Sequence, residues 1–114
     1  MRRGEIWLIN LSPTLGAELQ KTRPAVIVND DGVGILPLKV IVPITDGKER
    51  YAQAPWMVRV EATPENRLSK SSTADAFQVR SVSEQRFVSR LGHLSLDNLE
   101  AIEKALKIVL RLQR

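Results

Sequence analysis

The sequence predicts a mainly β fold, a small barrel or strongly bent sheet, followed by one C-terminal helix. Three observations predict it. Residues 24–28 and 38–44 are near-continuous apolar runs, the pattern of strands buried on both faces. Other short segments alternate apolar and polar residues between polar, turn-forming connections. From Leu96 onward the periodicity becomes helical.

Taken in order, residues 5–10 set Ile6 and Leu8 against Trp7 and Ile9, and Leu11-Ser12-Pro13-Thr14-Leu15-Gly16 breaks the strand with turn residues. The two apolar runs follow, the second containing Pro43 and ending at Thr45. Residues 56–61 alternate again, and residues 73–80 and 86–94 read as further strands. Polar connections lie between them at residues 29–32, 45–50 and 62–66. About six strands at this spacing favour closure, which removes exposed edges.

Ser95 reads as the N-cap of a helix over residues 96–112, with Asp97 at the positive end of its dipole and Lys107 and Arg111 at the negative end. Glu100 with Lys104, and Glu103 with Lys107, make favourable i,i+4 pairs. The apolar arc, which includes Leu99, Ile102, Leu106, Val109 and Leu110, covers more than half the circumference. Packing on one sheet needs less, so a second apolar surface is expected, most economically a twin subunit in a homodimer.

The 114 residues suit a single domain spanning the whole chain, and 43% hydrophobic with 26% charged residues is a globular composition. Cysteine is absent, so no disulfide framework or thiolate zinc site can form. His93 is the only histidine, which argues against a zinc site and against cleavage of RNA by a histidine pair. It reads as a structural residue at a strand end, and no metal or other cofactor is expected. The basic start Met1-Arg2-Arg3-Gly4 leads into alternation instead of a signal-peptide core, and no apolar run reaches membrane-spanning length. A cytoplasmic protein without membrane contact is expected. The net charge of +4 suits a polyanionic partner without requiring one, because the basic residues are dispersed along the chain.

The most informative stretch is Gly16-Ala17-Glu18-Leu19-Gln20-Lys21-Thr22-Arg23-Pro24. The proline ring disfavours helical backbone at the residue before it, so Arg23 is held extended and its guanidinium projects from a defined strand start. Together Gly16-x-Glu18, Arg23-Pro24, Val42-Pro43-Ile44-Thr45 and Gln78-Val79-Arg80 resemble, in order and spacing, the MazF/PemK toxins, ribosome-independent mRNA interferases of bacterial toxin-antitoxin pairs. The likeness runs from Gly4-Glu5-Ile6-Trp7 to the final helix.

The resemblance implies an SH3-like barrel of the MazF/PemK/CcdB toxin superfamily. It implies a sequence-specific, metal-independent endoribonuclease that cuts single-stranded mRNA to a 2′,3′-cyclic phosphate and a 5′-hydroxyl. A homodimer and a cognate acidic, MazE-like antitoxin come with it as partners. Arg23 suits the phosphate, because a planar fork of donors can hold two of its oxygens and never loses its charge. Thr45, on the resemblance, stands beside it and offers a hydroxyl to the same phosphate. Glu18 has two open roles, general base or acceptor for a nucleobase donor. Gln78 matches the family's Gln near the site, and otherwise reads as an amide satisfying backbone. Lys48, Arg50 and Arg80 complete the expected RNA contacts, and an acidic antitoxin tail would meet Arg23, Lys48 and Arg50 in the same groove.

Two other readings compete: a CcdB-like toxin that binds DNA gyrase without catalysis, and an RNA-binding relative that has lost its chemistry. Arg23 and Thr45 favour the nuclease, since a gyrase binder needs no phosphate-holding pair. Trp7 and Trp56 read as core or interface aromatics before base-stacking platforms. The sequence departs from the family at Arg67-Leu68-Ser69-Lys70-Ser71-Ser72, where members often carry Gly before Leu or Phe and then a Lys/Arg-Asp-Ser segment. It departs again at Phe77 before Gln78, in place of an acidic residue, and at Asp46-Gly47 after Thr45. On the resemblance these changes fall on loops expected to contact RNA bases, so they bear on sequence preference more than on reaction type.

Overall fold

Strands β1 (Glu5–Asn10), β2 (Thr22–Ile27) and β3 (Leu38–Asp46) form the centre of an antiparallel sheet in the computed structural model, which describes residues 1–46 and 54–112. With β4 (Met57–Val60), β5 (Ser72–Asp75), β6 (Arg80–Ser83) and β7 (Phe87–His93) the order is β4-β5-β3-β2-β1-β7, and β6 pairs with β3 beside β5. The ladder bends around two cores, one on each face, and is not closed between β4 and β7 among the described residues.

Alternation along the central strands divides their side chains between the two faces. Ile6, Val26, Val42 and Ile44 join the first core with Val60, Leu68, Leu94 and Ile102. Ile9, Ala25, Ile27 and Ile41 join the second with Leu11 and Val82, and Trp7, Leu19 and Phe87 pack against it. That is why residues 24–28 and 38–44 read as near-continuous apolar runs. Trp7 and Phe87 meet edge to face with ring centroids 5.5 Å apart, so Trp7 serves the second core, as expected.

Four expected strands differ from the observed ones by one or two residues at an end, and a fifth is broken in two. Residues 73–80 do not run as one strand, because the Asp75 carboxylate accepts the Phe77 backbone N–H at 3.0 Å and turns residues Ala76–Gln78 into a single 3₁₀ turn. The break lets β5 pair with Ile44–Asp46 of β3 and β6 with Leu38–Ile41. Likewise Ser83 caps a 3₁₀ turn at Glu84–Arg86, so the last strand begins at Phe87. It ends at His93, the position expected for that residue.

Helix α1 (Leu96–Leu110) begins on Ser95, whose hydroxyl accepts the Asn98 N–H at 3.2 Å. It stops two residues short of the expected end because Arg111 adopts a left-handed conformation, and the Arg111 and Leu112 N–H groups turn back onto the Ile108 and Lys107 carbonyls. Ile102 and Ala105 are buried against the sheet, while Leu96, Ile108, Leu110 and Leu112 remain exposed.

Candidate active site

Pro24 opens a gap between β2 and β3. The Val28 N–H donates to the Val40 carbonyl, so in this register the backbone groups of Val26 face Val42, and those of Pro24 would face Ile44. Pro24 has no N–H to give, and the β2/β3 pairing ends at Ala25↔Pro43. Pro43 by the same alternation directs its nitrogen to the other edge of β3. There it falls between the residues paired with β6 and those paired with β5, so its missing donor costs no ladder bond.

Arg23 and Thr45 flank this gap. Arg23 is half-buried, its Nε donates to the Gln20 carbonyl at 2.7 Å, and its Nη1 reaches Thr45 Oγ1 at 3.4 Å. Because Thr45 Oγ1 receives from Arg23, its own proton is left to donate into the cleft. The Nη2 end of Arg23 makes no hydrogen bond among the described residues. Both residues line a cleft of about 410 Å³ together with Pro24, Asp46, Arg67 and Lys70. Lys70 Nζ pairs with Asp46 Oδ1 at 2.9 Å, which leaves the surplus positive charge on Arg23 and Arg67. A guanidinium and a hydroxyl converging on one hollow can hold the non-bridging oxygens of a phosphodiester.

Glu18, Gln78 and Arg80 line a neighbouring cleft of about 370 Å³, with Leu19, Pro43 and Phe77. All three tie down the loop of residues 11–21. Glu18 Oε1 accepts the Leu15 N–H at 2.6 Å. Gln78 accepts the Leu19 N–H at 2.6 Å and donates to the Ala17 carbonyl at 3.2 Å. Arg80 Nη1 donates to the Leu11 carbonyl at 3.3 Å, and Arg86 adds bonds to the Asn10 and Ser12 carbonyls. Behind Gln78, Asp75 is buried, which raises its carboxyl above the usual range against the opposing pull of hydrogen bonds from Phe77 and Gln78.

The sequence-predicted residues therefore fall in two adjoining places: Arg23 and Thr45 meet in one cleft, and Glu18, Gln78 and Arg80 surround the next. Lys48 and Arg50 lie outside the described residues. Sequence reasoning passed over Arg67 and Lys70 as site residues. The segment Arg67-Leu68-Ser69-Lys70 was visible as a departure from the family pattern on a loop expected to contact RNA bases, and nothing in its spacing tells that it folds against Thr45.

Residues 2–110 match the family described as PemK-like, MazF-like toxin of type II toxin-antitoxin system. The chain belongs to this family. Endoribonuclease MazF9 of Mycobacterium tuberculosis is 33% identical over 118 residues, covering 98% of each chain. The fold of this PemK/MazF toxin matches that of MazF from Deinococcus radiodurans with a TM-score of 0.80 at 23% identity, over 97% of this chain and 96% of that one. An endoribonuclease from a mycobacterial species, solved in complex with its cognate antitoxin, matches with a TM-score of 0.78 at 18% identity, over 100% and 98% of the two chains. No helix among the described residues is long and apolar enough to cross a membrane.

Proposed function

We propose that the chain is the endoribonuclease toxin of a type II toxin-antitoxin pair and cuts single-stranded RNA, without a metal, at the cleft of Arg23 and Thr45. Endoribonuclease activity follows from membership of the PemK/MazF toxins, and the gyrase-binding alternative lacks that support. One observation carries the assignment of the site: Arg23 Nη1 and Thr45 Oγ1 meet at 3.4 Å over an open cleft.

In the reaction, the ribose 2′-oxygen attacks the adjacent phosphorus as its proton passes to a base. The bond to the 5′-oxygen breaks, and that oxygen takes up a proton. The products are a 2′,3′-cyclic phosphate and a 5′-hydroxyl. Negative charge builds on the non-bridging oxygens, where Arg23 supplies a fixed cation and Thr45 a hydroxyl proton. Holding the phosphate between them also sets the strand for in-line attack.

The domain, read as spanning residues 1–114, acts in the cytoplasm as a homodimer. The exposed Ile108, Leu110 and Leu112, and a hollow of about 240 Å³ lined by Trp56, Phe77, Ile108 and Val109, supply apolar surface for a second copy. An acidic antitoxin segment would compete with RNA for Arg23 and its neighbours by charge and by occupancy.

Purified protein is expected to cut a long RNA in excess EDTA, leaving 5′-hydroxyl ends, and to spare a strand with a 2′-deoxy group at the cut site. Arg23→Ala lowers the rate about a hundredfold or more, the scale for losing a preorganised charge-stabilising donor. Arg23→Lys restores little, since a point charge cannot reproduce the fork. Loss of cutting on chelation, or 5′-phosphate products, would refute the metal-free mechanism.

A further inference from the structure

We infer that Arg67 is an RNA-binding residue that grips a phosphate next to the scissile one and leads the strand out of the Arg23/Thr45 cleft. The inference rests on the endoribonuclease reading above. Arg67 lines two hollows at once: the cleft it shares with Arg23 and Thr45, and a polar one of about 360 Å³ with Glu65, Arg90 and His93. It thus stands where a strand leaving the first hollow would enter the second.

The loop that carries Arg67 is built to present it. Arg67 has φ +54°, a left-handed conformation that a side chain with a Cβ rarely takes. Its neighbours on both sides are buried. Asn66 is 2% exposed, accepts the Thr63 and Leu68 N–H groups at 3.0 Å, and donates to the Glu61 carbonyl at 2.8 Å. Leu68 sits in the first core. With Asn66 and Leu68 fixed inward, the Arg67 side chain is turned out to solvent. Its guanidinium has no ion pair or hydrogen bond among the described residues.

Lys70 is engaged by Asp46, Arg90 by Glu5 at 3.3 Å, and Arg80 and Arg86 by loop carbonyls. Arg23 and Arg67 are the two cations in the first cleft without a carboxylate partner among the described residues. A polyanionic strand crossing that cleft would meet these two charges in succession.

The test uses an RNA oligonucleotide with one mapped cut site, and its non-cleavable form with a 2′-deoxy nucleotide there. Arg67→Gly keeps the left-handed backbone, since glycine adopts it freely, and removes only the side chain. The variant is expected to bind the non-cleavable RNA about tenfold more weakly, with the loss in cleavage appearing in KM more than in kcat. The slope of log K against log[salt] becomes shallower by about 0.7, the value for one phosphate contact on a single strand. Arg67→Lys retains the wild-type slope. Trimming the RNA one nucleotide at a time erases the difference between wild type and Arg67→Gly once the gripped phosphate is gone. Wild-type affinity and slope in Arg67→Gly, measured while the unaltered protein cuts normally, overturn the inference and leave the endoribonuclease reading intact. Failure of the unaltered protein to bind or cut the RNA overturns both.

Discussion

Gln78 and Leu19, 59 residues apart in sequence, are joined by a 2.6 Å hydrogen bond from the Leu19 N–H to the Gln78 side-chain oxygen. The same amide donates to the Ala17 carbonyl, so one side chain satisfies both directions of a loop backbone that no strand pairs. Leu19 packs on the second core, and four residues later the chain reaches Arg23. The 3₁₀ turn that breaks the expected strand is therefore what brings Gln78 to the loop leading into the Arg23/Thr45 cleft.

Gln78→Ala is expected to loosen this loop without touching the reacting groups. Two backbone partners are lost, and cleavage falls about tenfold, with substrate affinity carrying most of the change. Hydrogen exchange separates this from a direct contact with RNA: the Leu19 amide loses its protection in the free protein. An unchanged Leu19 exchange rate would show that the loop is held by other contacts.

Asp75 gives the pH dependence its sign. Burial raises its carboxyl above the ordinary value, so the charged form is disfavoured in the folded state. Below the ordinary carboxylate range the group is protonated both folded and unfolded and costs nothing. Stability falls as pH rises from that range through the raised folded value, and the cost stays constant above it. Asp75→Asn keeps an oxygen for the Phe77 N–H and has no charge to bury. Its melting temperature is expected to exceed that of wild type at neutral pH, with the advantage disappearing in acid. An advantage that grows on acidification would contradict this assignment.

How much of this was legible in the sequence depended on the kind of interaction involved. Residues 24–28 and 38–44 announced themselves because burial on both faces leaves few polar positions in a strand, Lys39 near the exposed start of β3 being the one interruption. Ser95 was readable because N-capping is local. The break after Asp75 was not, since Ala76, Phe77 and Val79 continue an apolar pattern and one carboxylate-to-backbone bond decides the matter. The end of the helix was missed for a similar reason: Arg111, not a glycine, takes the left-handed position. At the site, Arg23 and Thr45 were named from the family likeness, yet their meeting depends on where Pro24 ends the β2/β3 ladder. Arg67 was legible only as part of a loop expected to contact RNA bases; its own placement comes from the buried Asn66 and Leu68 on either side.

Gly92 is expected to be intolerant of any side chain. A Cβ there would lie 2.1 Å from the Glu65 carbonyl oxygen and 3.1 Å from Asn66 backbone atoms, neither of which can swing aside as a side-chain tip could. The Glu65 oxygen also accepts the His93 N–H at 3.1 Å, so relief of the clash pulls the loop off β7. Gly92→Ala is expected to cost about 1–3 kcal/mol, the range for forced overpacking, as measured by urea denaturation. A change below about 0.5 kcal/mol, the scale of ordinary surface substitutions, would mean that this loop packing contributes little.

Arg67→Gly should move stability and RNA affinity in opposite directions. A residue with a Cβ in the left-handed region costs about 1–2 kcal/mol. Glycine removes that strain but adds unfolded-chain entropy worth about 0.5–1 kcal/mol. The net is a gain of up to about 1.5 kcal/mol, which for a domain of roughly 100 residues raises the melting temperature by about 4–8 °C per kcal/mol. Asn66 and Leu68 keep their contacts, so nothing else in the loop changes to offset the gain. Thermal unfolding of Arg67→Gly beside Arg67→Ala decides the point: alanine keeps the strain and loses the charge, so its melting temperature stays near or below that of wild type. A melting temperature of Arg67→Ala above that of Arg67→Gly by the full entropic cost of glycine would show that the left-handed backbone at this position carries no strain, and that the arginine is held there without a stability cost.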